Sequence, residues 1–218
     1  MDNSSKYSLD SSFSLFIEQV FNEKYMFDLQ VKHICRKASL SHFYNHLFFI
    51  TVHFKPDICK IANEKSPVQT KAIFDAYRKW HLTVSKKLLG PKFNKKPLLQ
   101  PFSMAFLDVE GSRYKMAPKV FQIPHIHALL LVHPDTQAEF EKLRKSGVLK
   151  EADDSRITGI DIIKFEPQLG SVTPLMTYAS KYPCQTLREA RIDKTFWSYP
   201  DLDATSYPFY GGDWLLNR

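Results

Sequence analysis

An α+β domain built on one antiparallel sheet is predicted by three features of this sequence. Short apolar, β-branched or aromatic runs recur along the chain. Two amphipathic stretches with helical spacing separate them. Proline or glycine stands at most of the boundaries. Leu47-Phe48-Phe49-Ile50-Thr51-Val52-His53-Phe54 reads as a buried strand, ended by Lys55-Pro56. Ser66-Pro67 then opens a helix whose apolar positions Ile73, Tyr77, Trp80, Val84 and Leu88 fall on one stripe. Gly90-Pro91 closes it. A basic, proline-containing loop leads to a second strand, Phe102 to Glu110, and Gly111 to Gln122 reads as a polar loop.

The third strand runs from about Ile123 to Val132. Pro134-Asp135 starts a second helix, with Phe140 and Leu143 inward and Gly147 as its stop. A fourth strand spans Ile157 to Phe165. A last helix is expected to begin near Ser171-Val172-Thr173-Pro174. The order β-α-β-β-α-β is that of a ferredoxin-like core, with helices on one face of a central antiparallel sheet. Residues 1–46 read as an N-terminal helical extension, with Phe13, Phe16, Val20 and Phe21 on an apolar stripe. Residues 47–195 form the main domain, and 196–218 an aromatic-rich, loop-like tail.

Composition narrows the class. No apolar run approaches the length of a membrane span, and no basic segment leads into an apolar one at the N-terminus, so a cytoplasmic location is expected. Three cysteines, widely spaced and without a Cys-x-x-Cys pair, argue against a disulfide frame or a structural zinc site. The net charge is +7. Between Lys55 and Lys96 there are eleven Lys/Arg against three Asp/Glu. That excess suits a polyanionic partner, and Lys92, Lys95 and Lys96 are the candidate DNA-binding residues.

The residues that carry chemistry cluster around Pro124-His125-Ile126-His127. Alternate side chains on a strand share a face, so His125 and His127 point the same way. Two imidazoles side by side make half of a metal site. One carboxylate would complete three protein ligands and leave open positions for a substrate oxygen. Glu110 and Asp108, on one face of the second strand, are the candidates. His133 shares the parity of His127, but six residues at about 3.3 Å each put it roughly 20 Å away, too far for the same metal. His53 reads as a satisfied core or edge histidine. Downstream, Tyr178 and Tyr182 flank Lys181, four residues apart and so on one face if helical. A neighbouring cation favours the phenolate form of a tyrosine.

Together, the His-hydrophobic-His strand, the Glu110-Gly111 turn fifteen residues before the first histidine, and Tyr178-x-x-Lys181 resemble the HUH endonuclease superfamily, most nearly its rolling-circle replication initiators. The resemblance covers roughly Leu47 to Gln185. It implies a metal, Mg²⁺ or Mn²⁺, held by Glu110, His125 and His127, with Asp108 as the alternate carboxylate. It also implies a tyrosine that nicks single-stranded DNA at a replication origin, in some members presented as a hairpin, and retains the 5′ phosphate. Host helicase and polymerase would then act on the free 3′ end. The phage-type subgroup carries Tyr-x-x-Lys-Tyr-x-x-Lys. Here Tyr182 stands at the second tyrosine, Gln185 replaces the second lysine, and Pro183 disfavours helix, so which tyrosine attacks stays open. Transposases and relaxases of the same superfamily share the chemistry, although relaxases carry the tyrosine before the histidine pair. A non-catalytic single-stranded nucleic-acid-binding module on the same sheet is the other reading.

Overall fold

The computed structural model describes residues 44–55, 71–109, 124–166 and 196–199. Within them the fold is α+β. The sheet comprises β1 (Leu47–Phe54), β2 (Phe102–Val109), β3 (Pro124–Leu131), β4 (Ile157–Lys164) and β5 (Phe196–Tyr199). The two α-helices among these residues are α1 (Lys71–Leu89) and α2 (Pro134–Lys145). The spatial order is β4-β1-β3-β2-β5, and every neighbouring pair is antiparallel. β1 and β3 therefore lie inside the sheet, each paired on both sides.

Alternation along the strands divides the sheet into two faces. One face presents Phe48, Ile50 and Val52 from β1, Ala105 and Leu107 from β2, Ile126, Ala128 and Leu130 from β3, and Ile160 and Ile162 from β4. These form one core with Ile73, Tyr77, Trp80 and Val84 of α1 and Phe140 of α2. Each large apolar side chain so buried contributes about 1.5–3 kcal/mol relative to exposure. Phe48 and Phe140 join sheet to α2, with ring centroids 4.7 Å apart. The polar ends of the core aromatics find partners. Trp80 Nε1 donates to Leu149 O (2.9 Å), and the Tyr77 hydroxyl shares a 2.6 Å hydrogen bond with Ser103.

Chain punctuation works as the residue types require. Gly90 (φ 81°) and Gly147 (φ 82°) take the left-handed conformation just past the ends of α1 and α2. His133 caps α2, its Nδ1 accepting from Asp135 N at 3.2 Å. It is neither a strand residue nor near the histidine pair in register. Asp154 accepts from the backbone and side chain of Arg156 and fixes the turn into β4.

Four strands and two helices lie where the sequence places them. Residues 196–199, expected to be loop-like, are corrected: they form β5, which extends the sheet beyond β2. Tyr199 is buried there. Its hydroxyl donates to Phe74 O (2.9 Å), and its ring meets Tyr77 and His81. Burial of Tyr199 on the helix side helps hold this strand in the sheet. The expected extension 1–46 falls almost wholly outside the described residues, as do the expected start of α1 at Ser66-Pro67 and the helix expected after Ser171. Among the described residues no helix is long and apolar enough to cross a membrane.

Candidate metal centre

The sheet face opposite the helices carries Phe49, Thr51 and His53 of β1, Phe106 and Asp108 of β2, and His125 and His127 of β3. Register brings the polar ones together. Asp108 is the direct partner of His125, and Phe106 of His127, across the β2–β3 ladder. On the other side, Thr51 faces His127 and His53 faces His125.

The result is a triangle of donor atoms. Asp108 Oδ2 lies 3.2 Å from His125 Nε2 and 3.2 Å from His127 Nε2, and the two Nε2 atoms lie 3.2 Å from each other. For bonds of about 2.1 Å, two ligands on one metal stand about 3.0 Å apart at octahedral angles and about 3.4 Å apart at tetrahedral ones. The triangle falls between these values. It is the one group of three or more such donors close enough to share an ion among the described residues. Two nitrogens and one oxygen suit a borderline divalent cation, and the three-ligand set leaves positions for substrate oxygen.

The electrostatics point the same way. Asp108 is fully buried. A carboxylate out of water is costly unless positive charge or strong donors compensate it, and here the compensation comes from the two imidazole edges or a cation between them. His127 is also buried, and β1 holds its ring at two points. Thr51 Oγ1 lies 3.3 Å from its Nδ1, and Phe49 stacks on it at 5.2 Å between centroids. With Nδ1 bonded to the hydroxyl, Nε2 is left to face the triangle. His125 is partly exposed. The ring of His53 lies 6.4 Å from it at an interplanar angle of 27°, and His53 Nε2 bonds Asp161 Oδ2 on β4 at 3.2 Å.

His125 and His127 thus stand together as the sequence indicates, and the carboxylate beside them is Asp108. Glu110, the preferred ligand from sequence, lies outside the described residues, as do Tyr178, Lys181 and Tyr182. His53 is not a core residue; it sits half-exposed beside the pair. Sequence reading passed over Thr51 and the His53–Asp161 pair. The alternation Phe49-x-Thr51-x-His53 on one strand was the available signal. Lys92, Lys95 and Lys96 are exposed in the turns between α1 and β2. They precede Phe102, and Asp108 is six residues further along β2, about 20 Å away. The basic turn therefore marks the opposite end of the sheet from the triangle. No family model, no curated protein and no solved structure matches this chain.

Proposed function

We propose that this protein is a metal-dependent nickase and strand transferase for single-stranded DNA, of the HUH type, that initiates rolling-circle replication of a plasmid or phage. The observation that carries this reading is the triangle of Asp108, His125 and His127 on the central strands. The strand order β4-β1-β3-β2 with both helices on one face supports the ferredoxin-like plan. A net charge of +7 supports a polyanionic substrate.

In this reading Asp108, His125 and His127 would hold Mg²⁺ or Mn²⁺, and the bound ion would supply Lewis-acid polarisation of a phosphate oxygen. Tyr178 attacks the scissile phosphorus. Its O–P bond forms as the P–O3′ bond breaks, and the 3′ oxygen leaves as a hydroxyl after taking up a proton. Lys181 favours the phenolate. One phosphoester replaces another, so the same groups can rejoin the strand. Tyr182 is the candidate for a second transfer. Both tyrosines belong to the segment that follows β4 and precedes β5. That segment re-enters the sheet at Phe196, the partner of Phe106, two residues from Asp108.

The donor set alone would also serve a non-haem Fe(II) oxygenase. Charge and the tyrosine-lysine motif favour DNA. The test is a denaturing gel of the protein with a labelled random pool of single-stranded DNA, with Mn²⁺ or with chelator. The expected result is a covalent adduct that needs Mn²⁺ and disappears in Tyr178→Phe. An adduct lost only in Tyr182→Phe would keep the reaction and move the nucleophile. DNA binding that ignores the chelator and yields no adduct would overturn the nickase in favour of a binding module.

A further inference from the structure

Four strands contribute polar groups to one end of the sheet, and their exposure rises in strand order. The side chain of Asp108 on β2 is 0% exposed, His127 and His125 on β3 are 5% and 19%, His53 on β1 is 48%, and Asp161 on β4 is 59%. The triangle is closed on the β2 side and open on the β4 side. Among the described residues, the exposed side chain beside the triangle on that side is His53.

The surroundings of His53 specify what it can bind. Its Nε2 is engaged by Asp161, which restrains the ring. The carboxylate beside it repels a phosphate at that spot. What remains is the flat imidazole. One face looks toward His125, and the register partner on the other side is Gly159. A Cβ at position 159 would meet His53 Cδ2 at 3.7 Å. Among the described residues, the absent side chain leaves the ring uncovered on the β4 side. The β1–β4 register shifts between His53 and Phe54.

We propose that His53, held by Asp161 over Gly159, is a stacking platform for an unpaired nucleobase next to the scissile phosphate. This rests on the nickase reading. It assigns His53 a positioning role: the base is fixed on β1 while its neighbouring phosphate reaches the triangle on β2 and β3. Aromatic stacking accepts any base, so the subsite sets register more than sequence.

The experiment compares single-stranded oligodeoxythymidine with an abasic strand of equal length, by fluorescence anisotropy in Mn²⁺. Wild-type protein is expected to prefer the base-bearing strand. His53→Ala should weaken binding to it by about tenfold and leave abasic binding unchanged, as for the loss of one stacked base. His53→Phe should restore most of the loss, whereas His53→Gln should not. Gly159→Leu, which lays a side chain against the ring, should mimic His53→Ala. Mn²⁺ affinity, measured by calorimetry, should be the same in all four variants. Equal loss on both strands, or no loss in His53→Ala while the wild type binds and nicks, would overturn the platform and leave the nickase standing. A wild-type protein that binds neither strand would remove the nickase reading and this subsite with it.

Discussion

At the residue scale the chemistry depends on how His127 is held. Its Nε2 faces Asp108 and His125, its Nδ1 meets Thr51, and Phe49 covers its ring. A hydroxyl at Thr51 can accept the Nδ1 proton and leave the Nε2 lone pair for a cation. Thr51→Val keeps the shape and removes that acceptor. It should lower Mn²⁺ affinity roughly 10-fold or more, and Thr51→Ser should hold it near wild type, as read by calorimetry. Unchanged affinity in Thr51→Val would mean that packing against Phe49 alone orients the ring. The histidine pair was legible because strand periodicity puts His125 and His127 on one face whatever the strand pairs with. The choice between Asp108 and Glu110 was not. The two share one parity in the sequence, and the register that brings Asp108 to His125 is a non-local fact.

At the element scale, α1 and the strands it covers are joined through buried polar groups. His81 Nε2 donates to Pro101 O at 2.9 Å just before β2, and the His81 ring lies 5.6 Å from that of Tyr199 on β5. Burial lowers the His81 pKa to about 4, with the Pro101 hydrogen bond opposing in part. The unfolded imidazole takes up a proton below its ordinary value of 6.5, while the folded one stays neutral until about 4. Stability from this group is therefore complete above about pH 6.5 and is lost progressively as pH falls to about 4. The loss is about 3 kcal/mol. Urea unfolding at pH 7 and pH 4.5 should show a smaller acid penalty in His81→Gln than in wild type. Equal penalties would show that His81 is not neutral in the fold. Asp154 acts in a lower window. The Arg156 side chain holds its carboxyl well below the usual carboxylate range, so its contribution is complete above that range and is lost progressively as pH falls through and below it.

The elements read from sequence were those with a local signature. β1 is an eight-residue apolar run closed by Lys-Pro, and α1 and α2 have glycines just past their ends. β5 has no such signature. Its four residues lie in a long aromatic stretch, and they are a strand because β2 offers an edge and α1 offers Tyr199 a buried carbonyl. The basic run was legible as charge but not as position. Nothing local says that Lys92, Lys95 and Lys96 precede β2 by a full strand length from Asp108.

At the scale of the whole molecule, function is separated by face and by end. Helices and apolar side chains occupy one face, and the Asp108, His125 and His127 triangle occupies one end of the other. The triangle opens toward β4, where His53 and Asp161 are exposed. All of this depends on Asp108, His125 and His127 holding a divalent cation. The most direct test is titration of Mn²⁺ into the full-length protein, followed by electron paramagnetic resonance, for wild type and for Asp108→Asn. The account predicts one tightly bound Mn²⁺ per chain with two histidine nitrogens in its coordination, and an affinity lowered at least 10-fold in Asp108→Asn. Wild-type protein that binds no Mn²⁺, or Asp108→Asn that binds it equally well, would contradict it.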